Sequence, residues 1–249
     1  MVNIDNLTVS YRGHPALHHI SGSFARGSLT AVIGPNGSGK STLLKAIVGL
    51  LRASGGRVTV ATERPRIAYF PQQTDLDRSF PMLVRDCVLL GCWSAVGAWG
   101  GIHAGVRAKV DAAIRTVGLE GFERRTIGSL SSGQFQRVLF ARLMVQDAEL
   151  ILLDEPFTAM DTRTTETLLD IVAQWHQQGR TVVAVLHDDE QVRQHFPNTV
   201  MLARELVAWG PTSEVLKPTH LQRARALAEA WDDQAEICHT DEVRDNTPA

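Results

Sequence analysis

The run Gly34-Pro35-Asn36-Gly37-Ser38-Gly39-Lys40-Ser41-Thr42 carries the spacing G-x-x-x-x-G-K-[ST] in full. These residue types at this spacing suit phosphate binding. Glycines let backbone N–H groups converge on phosphate oxygens without Cβ clashes. A helix that begins at Lys40 points its positive end at the same place. Lys40 can reach β- and γ-phosphates, and the Ser41 hydroxyl can ligate Mg²⁺. A second chemical group follows the apolar run 150–153, which ends in Asp154 and Glu155. Unpaired carboxylates beside a core cost free energy, so stability does not account for them. Asp154 suits a Mg²⁺ coordination shell, directly or through water. Glu155 can polarise an attacking water. Together the two motifs imply hydrolysis of a nucleoside triphosphate.

The surrounding pattern predicts the elements that must hold these groups. Residues 2–11 alternate and read as strands with a turn near Asp5-Asn6. Residues 28–33 read as a buried strand running into the glycine turn. Leu43, Leu44, Ile47 and Leu50 set a helix over 40–51. Short strands are expected over 57–60 and 66–70, and a mostly helical stretch over 81–147. A strand over 150–153, a helix over about 161–178 and a strand over 181–186 follow. A hairpin over 200–209 turns near Arg204. Strands separated by helices imply a parallel sheet. Trp175 and Trp209 read as core, and His18-His19 as turn and surface.

Composition narrows the class. With 44% hydrophobic and 21% charged residues the chain is globular rather than disordered. Lys+Arg 25 against Asp+Glu 27 argues against nucleic acid as a partner held by bulk charge. The cysteines Cys87, Cys92 and Cys238 form neither a disulfide framework nor a zinc knuckle, which fits a reducing compartment. Asp5 interrupts any secretion signal. The uncharged window 87–106 carries five glycines from Gly91 to Gly105, so it reads as a helix end and a Gly-rich, Trp-bearing loop, not a membrane span. The acidic tail, with Asp241, Glu242 and Asp245 near its end, reads as mobile beyond about Ile237. Its Cys238-His239 pair offers too few ligands for a closed zinc site.

Further motifs carry a family resemblance. Leu130-Ser131-Ser132-Gly133-Gln134 resembles the LSGGQ signature of ATP-binding cassette (ABC) proteins, with Ser132 in place of the usual Gly. Tyr11 lies where that family has its adenine-stacking aromatic. Gln72 resembles the Q-loop glutamine, with Gln73 adjacent. Thr158-Ala159-Met160-Asp161 resembles the D-loop, and His187 the switch histidine. The resemblance covers about residues 2–227. It implies an α/β P-loop NTPase fold: a RecA-like mixed sheet with flanking helices, an N-terminal antiparallel β subdomain and a helical subdomain inserted over about 80–147. One ATPase domain over 1–237 and a tail over 238–249 are expected. ATP and Mg²⁺ are the implied cofactors, with Ser41, Gln72 and Asp154 toward the metal. Glu155, His187 and Gln72 are the implied catalytic set. Ser131, Ser132, Gly133, Gln134 and Asp161 would meet nucleotide across a head-to-tail homodimer. Bland readings stand beside these: Tyr11 as core, Ser131 as a helix cap, His187 as a structural histidine.

The segment 71–91 resembles the zinc/manganese uptake branch, through its Pro-Gln, acidic, Phe-Pro and Val-Arg-Asp pattern. That implies an ATPase subunit on the cytoplasmic side of the membrane. Its partners would be an integral membrane permease and, indirectly, a metal-binding extracytoplasmic solute-binding protein. Trp93 and Trp99 in the loop 92–106 suit a permease interface or a loop folded on its own core. The alternatives are iron-chelate or haem import, an exporter subunit, and a non-transport ABC ATPase.

Overall fold

The computed structural model describes residues 1–11, 14–61, 67–72, 78–97, 101–158 and 160–230. Gln73, Trp99, Ala159, Cys238-His239 and the expected tail lie outside them. Three strands form an antiparallel sheet in the order β2-β1-β4: β1 Val2–Tyr11, β2 His14–Phe24 and β4 Gly55–Val60. The larger sheet runs β5-β6-β7-β3-β8-β9. Its strands are β3 Leu29–Ile33, β5 Ile67–Phe70, β6 Leu150–Asp154, β7 Thr181–Val185, β8 Asn198–Ala203 and β9 Glu205–Pro211. All pairings are parallel except β8 with β9.

Both faces of the larger sheet are covered, which is why its strands are unbroken apolar runs. Ala31, Ile151, Leu153, Val182 and Ala184 face one core cluster. Val32, Leu150, Leu152, Val183 and Val185 face the other, with Leu43 and Leu44 of α1 (Lys40–Ile47) and the inner side of the small sheet. The first cluster holds the helical layer: α2 Val84–Leu89, α3 Trp93–Val96, α4 Ala104–Thr116 and α5 Ser132–Gln146. It continues under α6 Thr162–Gln177 and reaches α7 Asp189–His195, α8 Thr212–Val215 and α9 Pro218–Glu229. No described helix is long and apolar enough to cross a membrane.

Five expectations need correction. No turn divides residues 2–11: β1 runs through, with a register shift between Ile4 and Leu7 and a left-handed Asn6 at φ 51°. His18 and His19 lie inside β2, not in a turn. α1 stops at Ile47, and Leu50 is 64% exposed, because Gly49 at φ 81° ends the helix. Trp209 is only partly buried, lying 4.7 Å from Phe24 between ring centroids, whereas Trp175 is core. The stretch after α2 also continues through a 3₁₀ turn into α3 before Gly97, so the helix ends later than its glycines suggested.

Phe140 of α5 joins the layers. Its ring lies 5.2 Å from Phe70, 6.1 Å from Phe157 and 6.0 Å from Trp175, and the residue is fully buried. Phe140→Ala is expected to lower the unfolding free energy by about 3–5 kcal/mol, read from a urea melt followed by circular dichroism. A loss below about 1 kcal/mol would show that this ring does not join the layers.

Candidate functional site

The parallel strands deliver their C-terminal ends to one edge, and the reactive groups gather there. β3 runs into the glycine turn. At Gly34, φ 146°, a Cβ would stand 2.0 Å from the Leu202 carbonyl oxygen. At Gly39, φ 90°, it would stand 2.4 Å from the Ala16 carbonyl oxygen of β2. The turn therefore sits hard against β8 and β2, and only glycine fits those two places. Arg204 N–H donates to the Ser38 carbonyl at 2.9 Å and fixes the turn from outside. Lys40 is 5% exposed, and its Nζ donates to the carbonyls of Gly34 and Pro35 at 2.9 Å each. Burial holds its ammonium below the ordinary lysine pKa, while the charges of Glu155 and Asp154 oppose that shift.

Above the turn lies a cleft of about 640 Å³ lined by Asn36 through Thr42 with Ala16, Gln72, Glu155 and His187. The buried Ser38 Oγ has no hydrogen-bond partner, as expected of a group meant for a ligand. Asp154 closes β6 and is fully buried. Its Oδ1 accepts from Ser41 Oγ at 2.8 Å and its Oδ2 from Tyr69 OH at 3.3 Å. Burial raises its pKa above the carboxylate range, the Ser41 hydrogen bond opposes this, and the Glu155 charge adds to it. Glu155 is left-handed at φ 50°, an uncommon backbone for a non-glycine residue. Its Oε1 lies 2.7 Å from His187 Nε2, just beyond β7. Asp188, next in line, caps α7 by accepting from the N–H groups of Glu190 and Gln191.

Not every expected residue joins this cleft. Tyr11, at the end of β1, is 48% exposed, so it is not core, and it does not line the cleft walls. Gly34 and Pro35 face a smaller cavity beside α9. Ser131, Ser132, Gly133 and Gln134 stand apart at the start of α5. There Ser131 Oγ accepts from Gln134 N–H at 3.2 Å, and Gln134 Oε1 accepts from Ser131 N–H at 3.0 Å. Ser131 is thus a helix cap in a capping box. Ser132 is the first helical residue and needs no positive φ, so its replacement of glycine leaves the cap intact. Asp161 caps α6 by accepting from Thr164 N–H and Oγ1–H, bonds that hold its pKa down. Ala16 and Tyr69 were missed. Ala16 lies on an unread strand, and Tyr69 stands three residues before Gln72, where only the glutamine drew notice.

A phosphate turn at the end of a buried parallel strand, with a carboxylate pair ending the strand two places away in the same sheet, defines a nucleoside triphosphatase. The sequence pattern of the ABC transporter family matches residues 17–158. A probable metal transport system ATP-binding protein of Chlamydia pneumoniae is 44% identical, covering 86% of this chain and 85% of that one. The manganese transport system ATP-binding protein MntB of Halalkalibacterium halodurans is 38% identical, covering 88% and 89%. The zinc transport system ATP-binding protein TroB of Treponema pallidum is 40% identical, covering 90% and 86%. A bacterial ABC transporter cassette solved as a dimer superposes with a TM-score of 0.76 at 26% identity, covering 85% of this chain and 99% of that one. The chain belongs to the ABC transporter family, binds nucleotide and is an ATPase of the cassette type.

The buried Asp154 generates a prediction with a definite sign. Its raised pKa means the ionised carboxylate is less favourable in the folded chain than in the unfolded one, so ionisation as pH rises costs stability. Asp154→Asn mimics the neutral form. It is expected to raise Tm at pH 7.5 by about 2–4 °C, the size of ~1 kcal/mol in a chain this long, while abolishing ATP turnover. The gain should shrink as the pH is lowered toward the ordinary carboxylate pKa. Differential scanning calorimetry of the nucleotide-free protein checks it, and a lower Tm at pH 7.5 refutes it.

Proposed function

We propose that this chain is the ATPase subunit of an ABC importer for zinc or manganese ions, working as a homodimer under an integral membrane permease. One observation carries the chemistry. The ends of four strands bring Lys40, Ser41, Gln72, Glu155 and His187 to one cleft, with Asp154 just beneath it. The cargo reading rests on the manganese and zinc systems whose ATP-binding proteins are similar over nearly the whole chain. Residues 1–237 act as one ATPase domain, with about 80–147 as its helical subdomain. Exposed Phe80 and Trp93, both 61%, and Ile102, 43%, offer that subdomain apolar surface for the permease. The subunit then sits on the cytoplasmic side of the membrane, and a metal-binding solute-binding protein delivers cargo from outside.

In this mechanism Lys40 and the N–H groups of residues 36–41 hold the phosphates, and Tyr11 packs against the adenine. The donors Ser41 Oγ and Asp154 are oxygens, already 2.8 Å apart, and with Gln72 they fit a hard cation such as Mg²⁺. Bound there, Mg²⁺ would neutralise charge on the β- and γ-phosphates. Ser131 and Gly133 of one subunit cover the nucleotide held by the other, and Asp161 lies at the same seam. Closure moves the helical subdomain and the permease docked on it. Glu155 polarises the attacking water while His187, its partner at 2.7 Å, holds the geometry.

Lys40→Ala is expected to weaken ATP binding by more than about tenfold in calorimetry. Glu155→Gln should keep ATP binding, lose at least about a hundredfold in turnover and dimerise with ATP in light scattering. Wild-type hydrolysis by Glu155→Gln, or a persistent monomer, would overturn the mechanism. Cells carrying Glu155→Gln should also lose uptake of labelled zinc or manganese. Parental uptake of both metals removes the cargo assignment.

A further inference from the structure

Arg78 lies outside the nucleotide cleft, on the segment that leads away from Gln72. That segment is stitched to the one that leads into the signature. Leu83 bridges Thr126, Ile127 N–H donates to the Met82 carbonyl at 2.9 Å, and Val84 N–H donates to the Arg125 carbonyl at 2.9 Å. Arg78 ties the upper end of the pairing. Its Nη2 donates to the Leu130 carbonyl, and more weakly to that of Ile127 at 3.5 Å. Its guanidinium carbon stands 5.0 Å from the centre of the Phe135 ring, on the first turn of α5. The approach is close, since a Cβ on Gly128 would meet the Arg78 carbonyl oxygen at 2.9 Å.

Among the described residues no carboxylate pairs with this guanidinium, and its Nε is buried without a hydrogen-bond partner. The side chain is partly buried, and a guanidinium taken even partly out of water needs partners in its surroundings. Here the answer is one aromatic face and the carbonyls that flank the signature. A planar guanidinium can stack on a ring while donating in its own plane, whereas an ammonium cannot do both. Leu130 immediately precedes Ser131, so holding its carbonyl sets the direction in which α5 begins.

We propose that Arg78 is a positioning residue for ATP-driven dimer closure. It fixes the Ser131 and Gly133 donors relative to residues 78–84 of the same subunit, which follow the Gln72 loop in the chain, so that the position of that segment sets the aim of the donors that reach the other nucleotide. This rests on the sandwiched-homodimer reading above. It adds a residue that touches neither nucleotide.

The test uses the full chain carrying Glu155→Gln, titrated with ATP and Mg²⁺ and followed by light scattering. Failure of this parent to dimerise would sink the homodimer reading itself, separately from the role of Arg78. Adding Arg78→Met should raise the ATP concentration for half-dimerisation by about tenfold or more, the effect of losing a charge-assisted hydrogen bond and a stacked cation. Affinity for a fluorescent ADP derivative should stay within about twofold, because no atom of Arg78 lines the cleft. Arg78→Lys should recover only part of the loss. Dimerisation of Arg78→Met at the parental ATP concentration overturns the proposal, as does an equal fall in ADP affinity, which marks a general structural role. Should Arg78→Met fail to fold, the same titration on Arg78→Lys decides it, with parental behaviour again refuting the role.

Discussion

The constraint on which the site depends is burial of one parallel sheet from both sides. With apolar residues facing both cores, β3, β6 and β7 cannot slip in register without moving a whole row of side chains into the wrong layer. Their shared direction then puts every chemically active loop on the same edge. The phosphate turn follows β3, the carboxylate pair closes β6, His187 follows β7, and Gln72 follows β5. No single loop could place a lysine, two carboxylates, an amide and an imidazole so closely. The sheet does it by ending four strands together, as open α/β sheets do for their ligands.

Charge is handled inside this site by keeping opposite signs apart. Lys40 is answered by two carbonyls, and Asp154 by two hydroxyls. Each charge is buried, and each carries a pKa moved toward its neutral form. Had the ammonium and the carboxylate joined in a direct pair, each would have spent its field on the other. Answered by neutral dipoles, both keep a field for a phosphate and a cation. The fold gives up some stability to hold them so, consistent with the left-handed backbone at Glu155.

The parts of this arrangement most legible in the sequence were those whose chemistry is local. The glycine run, the carboxylate pair after an apolar strand and the capping serine can each be read from a few adjacent residues. Less legible were features that depend on distant partners. β2 escaped notice because Pro15, His18, His19 and Gly22 dilute its strand pattern, although Leu17, Ile20 and Phe24 face the core. Asn6 looks like a turn residue, yet it takes its left-handed backbone within a continuous strand. Ala16 enters the cleft wall only because β2 crosses behind Gly39. Arg78 has no local signal at all, since its acceptors lie about fifty positions away.

The capping box at Ser131 shows how the donor site of the proposed sandwich can be rigid while remaining outside its own subunit's cleft. A helix start leaves its first N–H groups without intrahelical acceptors. Ser131 and Gln134 answer each other, which fixes the turn and uses Ser131 Oγ as an acceptor. The hydroxyl proton of Ser131 and the N–H of Gly133 are not consumed by that exchange. They stand at the positive end of a helix of 15 residues, a field that favours an anion. A subunit that holds its phosphate cleft in one place and this helix end in another cannot bring the two together by itself without breaking β-sheet or core contacts. Joining them through a second copy costs only the freedom of two folded bodies, which ATP contacts on both sides of the seam can offset. In the proposed sandwich closure is tied to nucleotide, because only a phosphate between them gives the helix end and Lys40 a common anion to bind.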